Sequence, residues 1–142
     1  MDDLNVLLSD FGRMKEACHD MAGKKVVVGI IGGGEAAKIA FAHEYGVGRL
    51  PERSFIRASF DADQEQLGQI VTSAVDKVVR GQTSADAAAN AIGAQAAQLV
   101  QGYIDENRVT PPSDFSKKTQ HTTLFETGTH IRDRIAYKVE ES

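Results

Sequence analysis

The fold is decided by residues 63–104, which read DQEQLGQIVTSAVDKVVRGQTSADAAANAIGAQAAQLVQGYI. The first part of this stretch places apolar side chains three and four residues apart, the spacing of one face of an α-helix. They are Leu67, Ile70, Val71, Ala74, Val75, Val78 and Val79. Asp63 and Gln66 have the spacing of a capping box, and Gly81 follows the last apolar position. We therefore predict a long helix that begins near Asp63 and ends at Gly81.

The rest of the stretch predicts a second long helix. Thr83 and Asp86 give a second capping signal, and one face of the residues that follow is apolar. That face consists of Ala85, Ala88, Ala89, Ile92, Ala96, Leu99, Val100, Tyr103 and Ile104. The connection between the two helices is very short, which predicts an antiparallel pair. Because the second helix is rich in alanine and carries Gly93 near its middle, we expect a neighbouring element to approach it closely.

The chain before this pair predicts a helix followed by a strand. Residues 1–22 form an N-terminal amphipathic helix in this prediction, and Gly23 ends it. Its apolar face consists of Leu4, Leu7, Leu8, Phe11, Met14 and Cys18. The β-branched run from Val26 to Ile31 then predicts a strand.

A short helix and a loop come next. Residues 35–45 are mostly small and predict a helix that ends at Gly46, whereas Gly48 and Pro51 predict a loop over residues 47–54. Residues 55–60 fit either an extended segment or the lead into the next helix. We expect residues 47–60 to form an exposed interaction loop.

The C-terminal part predicts a second strand. Residues 107–118 contain Pro111-Pro112 and turn-forming residues, which indicate an exposed loop. Residues 131–139 then alternate in polarity, with Ile135, Tyr137 and Val139 on one side, as a half-buried strand does. The predicted fold class is α+β: a small antiparallel sheet packed with two long antiparallel helices and an N-terminal helix.

Length and composition limit the class of protein. With 142 residues, 42% of them hydrophobic, the chain predicts a single domain over residues 1–142. The 16 basic and 20 acidic side chains give a net charge of -4, which argues against a free-standing duplex-DNA binder. The acidic start and the lack of a run of about 20 apolar residues predict a soluble protein made in the cytoplasm, with no membrane association.

The residues that usually carry chemistry are sparse. Cys18 is the only cysteine, which leaves no internal disulfide and fits a reducing compartment. The four histidines, His19, His43, His121 and His130, do not have the spacing of metal ligands. No nucleophile motif is present either. We predict no enzyme activity, no catalytic residue, no metal and no cofactor.

The triple glycine at residues 32–34 supports a competing hypothesis. Gly32, Gly33, Gly34 and Ala37 match the G-x-G-x-x-A pattern of dinucleotide-binding proteins, between a predicted strand and a predicted helix. The rest of the chain does not supply the further parallel strands of that fold, and Asp61 follows Gly34 by 27 residues, where the ribose ligand usually follows by about 20. A small nucleotide-binding domain is therefore the alternative function, and a strand-to-helix hinge is the structural interpretation.

The order of short motifs after Gly23 resembles a family of bacteriophage neck or minor tail component proteins, which act in virion morphogenesis and tail completion. His43-Glu44-Tyr45-Gly46 matches the family's E-[FY]-G element, and residues 50–57, LPERSFIR, match its P-x-R-P-F loop, with Ser54 in place of the second proline. Pro111-Pro112-Ser113 and Leu124-x-x-Thr127-Gly128 match its second half. The ending departs from the family by one extra residue after Gly128 and by Arg134 in place of a serine.

The resemblance implies a structural virion protein of a tailed phage or prophage, located at the head-tail junction or tail and in the host cytoplasm during assembly. Such a protein forms a homo-oligomeric ring, by resemblance a hexamer, and joins tail to head. Its partners are neighbouring head-completion, tail-terminator or tail-tube proteins, and DNA passes through the lumen without sequence-specific binding. The sequence leaves open whether the chain is a neck ring, a tail terminator or a transient assembly factor.

The predicted subunit interface lies in and beside the interaction loop, where arginines alternate with apolar side chains, a composition enriched at interfaces. Its candidate residues are Tyr45, Arg49, Leu50, Pro51, Arg53, Phe55, Ile56 and Arg57. A core position for Phe55 and Phe60 is the alternative. The motif glycines and their neighbour are expected to shape the backbone rather than to bind a ligand; they are Gly32, Gly33, Gly34, Gly46, Thr127 and Gly128.

Overall fold

The computed structural model describes residues 2–106, 108–110 and 131–142. Within these ranges the chain forms an α+β fold of five α-helices, a short 3-10 helix and two strands. The elements are α1 (Asp2–Ala22), β1 (Lys24–Ile30), α2 (Gly34–Tyr45), α3 (Ile56–Ala62), α4 (Gln64–Val79), α5 (Ala85–Asp105), the 3-10 helix (Ile131–Arg134) and β2 (Ile135–Glu141). None of the described helices is both long and apolar enough to cross a membrane.

The two strands pair as the sequence predicts. β1 and β2 are antiparallel, with Val26 opposite Val139 and Ile30 opposite Ile135. β1 ends one residue before the predicted Ile31, and β2 begins at Ile135 because residues 131–134 form the 3-10 helix. The alternation in β2 is confirmed, since Ile135 is buried and its neighbour in the strand is exposed.

The helical hairpin of α4 and α5 is also confirmed, although its caps differ from the prediction. The hydroxyl of Ser84, not Thr83, accepts a hydrogen bond from the Ala87 amide and begins α5. The carboxylate of Asp63 makes no capping bond to α4. It accepts two hydrogen bonds from the Arg108 guanidinium, at 3.0 and 3.1 Å, and so ties the start of α4 to the chain that follows α5.

Helix α5 approaches the sheet closely at Gly93. The Tyr137 ring of β2 lies against the α-carbon of Gly93, so a side chain added there would overlap the ring. The Tyr137 hydroxyl reaches Asn90 Oδ1, one turn earlier in α5, at 3.2 Å. The predicted close approach to the middle of this helix is therefore confirmed, and the neighbour is the sheet.

The core has two parts along α5. Near its C-terminal end, Val100 and Ile104 pack with Phe55, Ile131 and other buried residues from α2, β2 and the connecting segments. Near its N-terminal end, Ala88 and Ile92 pack with two buried residues of α4, Ala74 and Val78. The first part includes Ala40 of α2, and the second is flanked by Ala17 and Met21 of α1. α1 and α2 therefore pack at opposite ends of α5.

The structure corrects two predictions about the connecting segments and decides between two alternatives left open by the sequence. Residues 56–62 are the helix α3, so the exposed interaction loop does not extend to residue 60, and the lead into the next helix is the alternative that holds for residues 55–60. Phe55 is fully buried and Phe60 is half-buried, which is the core position given as the alternative. Val109 is likewise buried, inside the segment predicted to be an exposed loop. The remaining predicted features at residues 111–128, including Thr127 and Gly128, lie outside the described residues.

Candidate subunit interface

A buried carboxylate organises the predicted interface. Glu44, near the end of α2, is 5% exposed, and its two oxygens accept hydrogen bonds from three successive backbone amides. Oε2 accepts from Phe55 at 3.1 Å, and Oε1 accepts from Ile56 and Arg57 at 2.9 Å each. These are amides at the start of α3 that have no partner inside their own helix. The carboxylate of Glu44 thus caps α3 and joins residues 43–46 to residues 50–57, which are two of the motifs that resemble the neck family.

Gly46 allows the chain to turn back on α2. Its φ of 75° lies in the left-handed region, and its amide donates to the Ala42 carbonyl at 2.8 Å. A β-carbon at Gly46 would lie 3.1 Å from the amide nitrogen of Glu52 and 3.2 Å from the carbonyl oxygen of Leu50. The loop therefore packs against the helix end so closely that the position favours glycine.

Arg57 holds the outer side of this turn. Its guanidinium lies over the Tyr45 ring, 4.3 Å from the centroid, and donates to the carboxylate of Glu52 at 2.9 Å and to the backbone carbonyl of Glu44. A guanidinium at this distance from an aromatic ring is attracted to it electrostatically. These contacts fix Tyr45 and Arg57 beside each other at the surface.

An apolar groove lies between α2 and α3. It has a volume of about 230 Å³ and is lined by Ile30, Ala37, Ala40, Phe41, Glu44, Tyr45, Ile56 and Arg57. The Phe41 and Tyr45 rings are 4.8 Å apart and are 60% and 51% exposed. Ile31 and Val47 nearby are also exposed. The groove and these side chains together form a surface that is apolar and bordered by arginine.

Three of the eight predicted interface residues, Tyr45, Ile56 and Arg57, line this groove. Tyr45, Arg49, Pro51 and Arg57 are exposed, and Leu50, Arg53 and Ile56 are half-buried. Phe55 is the exception, because its ring fills the core beneath the groove. Neither the place of Phe41 in the groove nor the capping role of Glu44 was predicted from the sequence. The i,i+4 spacing of Phe41 and Tyr45 was a signal for the first of these.

His43 lies on the inner side of the same helix end. It is half-buried, and its Nδ1 has no hydrogen-bond partner among the described residues. Burial, with a smaller contribution from the charge of Arg53, lowers the pKa of the imidazole below its ordinary 6.5. The neutral ring is therefore the form that this environment favours.

The triple glycine connects β1 to α2. Gly32, Gly33 and Gly34 have φ values of 95°, 73° and 82°, all in the left-handed region, and no atom lies within 4 Å of where their side chains would be. This agrees with the interpretation as a strand-to-helix connection. The described sheet pairs β1 with an antiparallel strand, unlike the parallel strands of a dinucleotide-binding unit. Nucleotide binding at this loop stays a prediction.

A second exposed apolar surface lies on α1. Its C-terminal half packs against α4 and α5 through Ala17 and Met21, and the Arg13 guanidinium donates to the Val79 carbonyl at 2.8 Å. The preceding residues expose large apolar side chains. They are Leu4, Val6, Leu7, Leu8, Phe11 and Met14, each between 39% and 68% exposed. The apolar face of α1 that the sequence predicts is therefore uncovered in the single chain.

Comparison of the chain with protein-family models, with curated proteins and with solved structures found no match. Among the described residues, no group of three or more His, Cys, Asp or Glu side chains is arranged to hold a metal ion. The function is therefore inferred from the residues and their geometry.

Proposed function

We propose that this protein is a structural virion protein of a tailed phage or prophage, which forms a closed ring at the head-tail junction and joins the tail to the head. The observation that carries this proposal is the turn built on Glu44. Two of the motifs that resemble the neck family, residues 43–46 and 50–57, fold against each other there. Together they border an exposed surface of aromatic, aliphatic and arginine side chains.

Such a surface suits contact between subunits. Tyrosine, phenylalanine and arginine are enriched in protein interfaces, and Phe41, Tyr45 and Arg57 occur together here. A ring requires a head-to-tail interface, in which one face of a subunit meets a different face of the next and the rotation closes. By resemblance the ring is a hexamer, and no catalysis is part of the proposal.

The charge of the chain is compatible with a conduit for DNA. The chain has fewer basic side chains, which bind phosphate, than acidic ones, and its net charge is -4. DNA in the lumen would therefore pass without sequence-specific binding. The proposed contacts above and below the ring are with head-completion, tail-terminator or tail-tube proteins.

A genetic experiment tests this function. Deleting the coding sequence from the phage or prophage should yield filled heads and separate tails, visible by negative-stain electron microscopy, and the wild-type protein supplied in trans should restore joined particles. Tails of abnormal length would instead indicate a tail terminator. Absence of the protein from purified virions would indicate a transient assembly factor. Intact infectious virions from the deletion would overturn the proposal.

A variant pair connects that experiment to the surface. Tyr45→Asp places a charge at the edge of the groove and should fail to restore joined particles. Thr72→Asp introduces the same charge at an exposed position of α4 and should restore them. Equal restoration by both variants would show that the groove surface is not needed for assembly.

A further inference from the structure

The two exposed apolar surfaces have complementary shapes. One is the projecting half of α1, residues 3–14, here named the arm, which presents a convex row of leucines with Phe11. The other is the groove between α2 and α3, which is concave. Its volume of about 230 Å³ is below the roughly 300–1,000 Å³ of pockets for small ligands, and it suits a large apolar side chain from a helix.

The size of the arm surface indicates a protein partner. Its six exposed apolar side chains present on the order of 500 Å² of apolar area, near the upper end for the largest patch on a monomer. A standard interface takes about 800 Å² from each partner. The arm thus supplies most of the area that a stable interface needs.

The charges of the two surfaces are opposite. The arm, residues 3–14, contains Asp3, Asp10 and Arg13, a net charge of -1. Residues 44–57, four of which line the groove, contain three arginines and two glutamates, a net charge of +1. Complementary charge of this kind orients two surfaces and speeds their encounter.

A subunit cannot fill its own groove with its own arm. The arm lies near the N-terminal end of α5. Arg13 contacts the carbonyl of Val79 at the end of α4, and the following turns of α1 pack near Ala88 and Ile92 of α5. The groove adjoins the core near Val100 and Ile104, at the other end of α5. The 21 residues of α5 span about 30 Å, which separates the two surfaces.

We propose that the arm of one copy of this chain docks in the groove of the next copy, with Phe11 and the adjacent leucines against Phe41, Tyr45 and Ile56. This inference rests on the proposed function, because it supplies the head-to-tail contact that a ring requires. It assigns to α1 a role that is separate from the interaction loop. Each subunit uses its two ends for two different neighbours, so the contact is heterologous.

Two variants and their matched controls test the inference. The arm variant is Leu8→Asp with Phe11→Asp, and its control is Asn5→Asp with Ser9→Asp, which adds the same charge to an exposed polar face of α1. The groove variant is Phe41→Asp, and its control is Thr72→Asp on α4. All substituted positions are exposed, so circular dichroism should show a folded protein in every case.

Sedimentation velocity over a concentration series gives the readout. The wild-type chain and both controls should assemble, whereas the arm and groove variants should each raise the dissociation constant roughly 30-fold or more, as loss of a hot-spot side chain does. Mixing the two variants should produce a dimer and nothing larger, because one intact arm and one intact groove remain. A groove variant that still dimerises by itself would indicate pairing between two arms and overturn the inference.

The remaining outcomes are decisive as well. A wild-type chain that stays monomeric at its highest soluble concentration overturns docking between copies. Assembly that survives both variants shows that the subunits meet elsewhere, which overturns the inference and leaves the ring proposal standing. The deletion phenotype tests that proposal separately, since it does not depend on which surfaces meet.

Discussion

Replacing Glu44 by alanine should lower the free energy of unfolding by about 3 kcal/mol. The substitution removes the acceptor from the amides of Phe55, Ile56 and Arg57, and the Phe55 amide is buried. Loss of a helix cap costs about 0.5–2 kcal/mol, and a buried donor left without a partner costs about 1–3 kcal/mol. For a chain of this size, a loss of about 3 kcal/mol lowers the melting temperature by about 10 °C.

Glu44→Gln should have a smaller effect. The side-chain oxygen of glutamine can still accept hydrogen bonds from the amides of Ile56 and Arg57, as Oε1 of Glu44 does. Its amide nitrogen would face the Phe55 amide, and because both groups are donors, that bond would be lost. Losing one of three bonds and the charge costs about 1–2 kcal/mol. The expected order of stability is the wild type, then the glutamine variant, then the alanine variant.

Glu52→Ala is the matched control for this prediction. Glu52 also bonds Arg57, but its side chain is 58% exposed, and an exposed ion pair contributes at most about 1 kcal/mol. Urea unfolding followed by circular dichroism measures all three variants, with an unchanged m-value as the sign that the same folded state is compared. If Glu44→Ala costs no more than Glu52→Ala, the carboxylate does not hold the start of α3 and the reasoning fails.

The other predictions concern Gly93, His43 and the triple glycine. Gly93→Ala should lower the free energy of unfolding by about 1–3 kcal/mol, because the added β-carbon would overlap the Tyr137 ring. Gly102→Ala, in open space on the same helix, should raise it by about 0.5–1 kcal/mol. Equal effects of the two substitutions in thermal unfolding would contradict the close approach. The pKa of His43 is lower in the folded state than its ordinary 6.5, so its contribution to stability is fully present above pH 6.5 and is lost as pH falls through the folded-state pKa. A His43→Gln variant should therefore lose less stability than the wild type over that pH range. Parallel profiles of unfolding free energy against pH would contradict this. Added ATP or NAD should leave the melting temperature unchanged, and a shift that Gly34→Val removes would support the nucleotide-binding alternative.

The sequence predicted most of the regular structure because that structure depends on local periodicity. The apolar spacing in α4 and α5 and the alternation in β2 each arise from neighbouring residues along the chain. The pairing of β1 with β2 was predicted because these were the two strand signals in the chain apart from the ambiguous residues 55–60. The close approach at Gly93 followed from the small residues of α5, but its neighbour, Tyr137, could not be deduced from spacing.

The errors fall where a distant residue decides the local structure. The start of α3 depends on Glu44, which lies 11 to 13 residues earlier, so residues 55–60 gave no clear helical signal of their own. Asp63 has the spacing of a cap but bonds Arg108, 45 residues later. At the candidate interface, the arginine-rich loop was recognisable from composition, whereas the groove required knowledge that the start of α3 lies against the end of α2.

The cap formed by Glu44 also separates the shape of the groove from the length of the loop that precedes it. Ile56 on α3 is held by a hydrogen bond to Glu44 beneath the surface, beside Tyr45 on α2, whereas residues 47–49 of the connecting loop are exposed. Since lengthening a surface loop adds little to the entropy of closing it, insertions there should be tolerated without moving Tyr45 or Ile56. A lineage could thus vary this loop to suit different neighbours while keeping one preformed groove, whose rigidity reduces the entropy lost on binding.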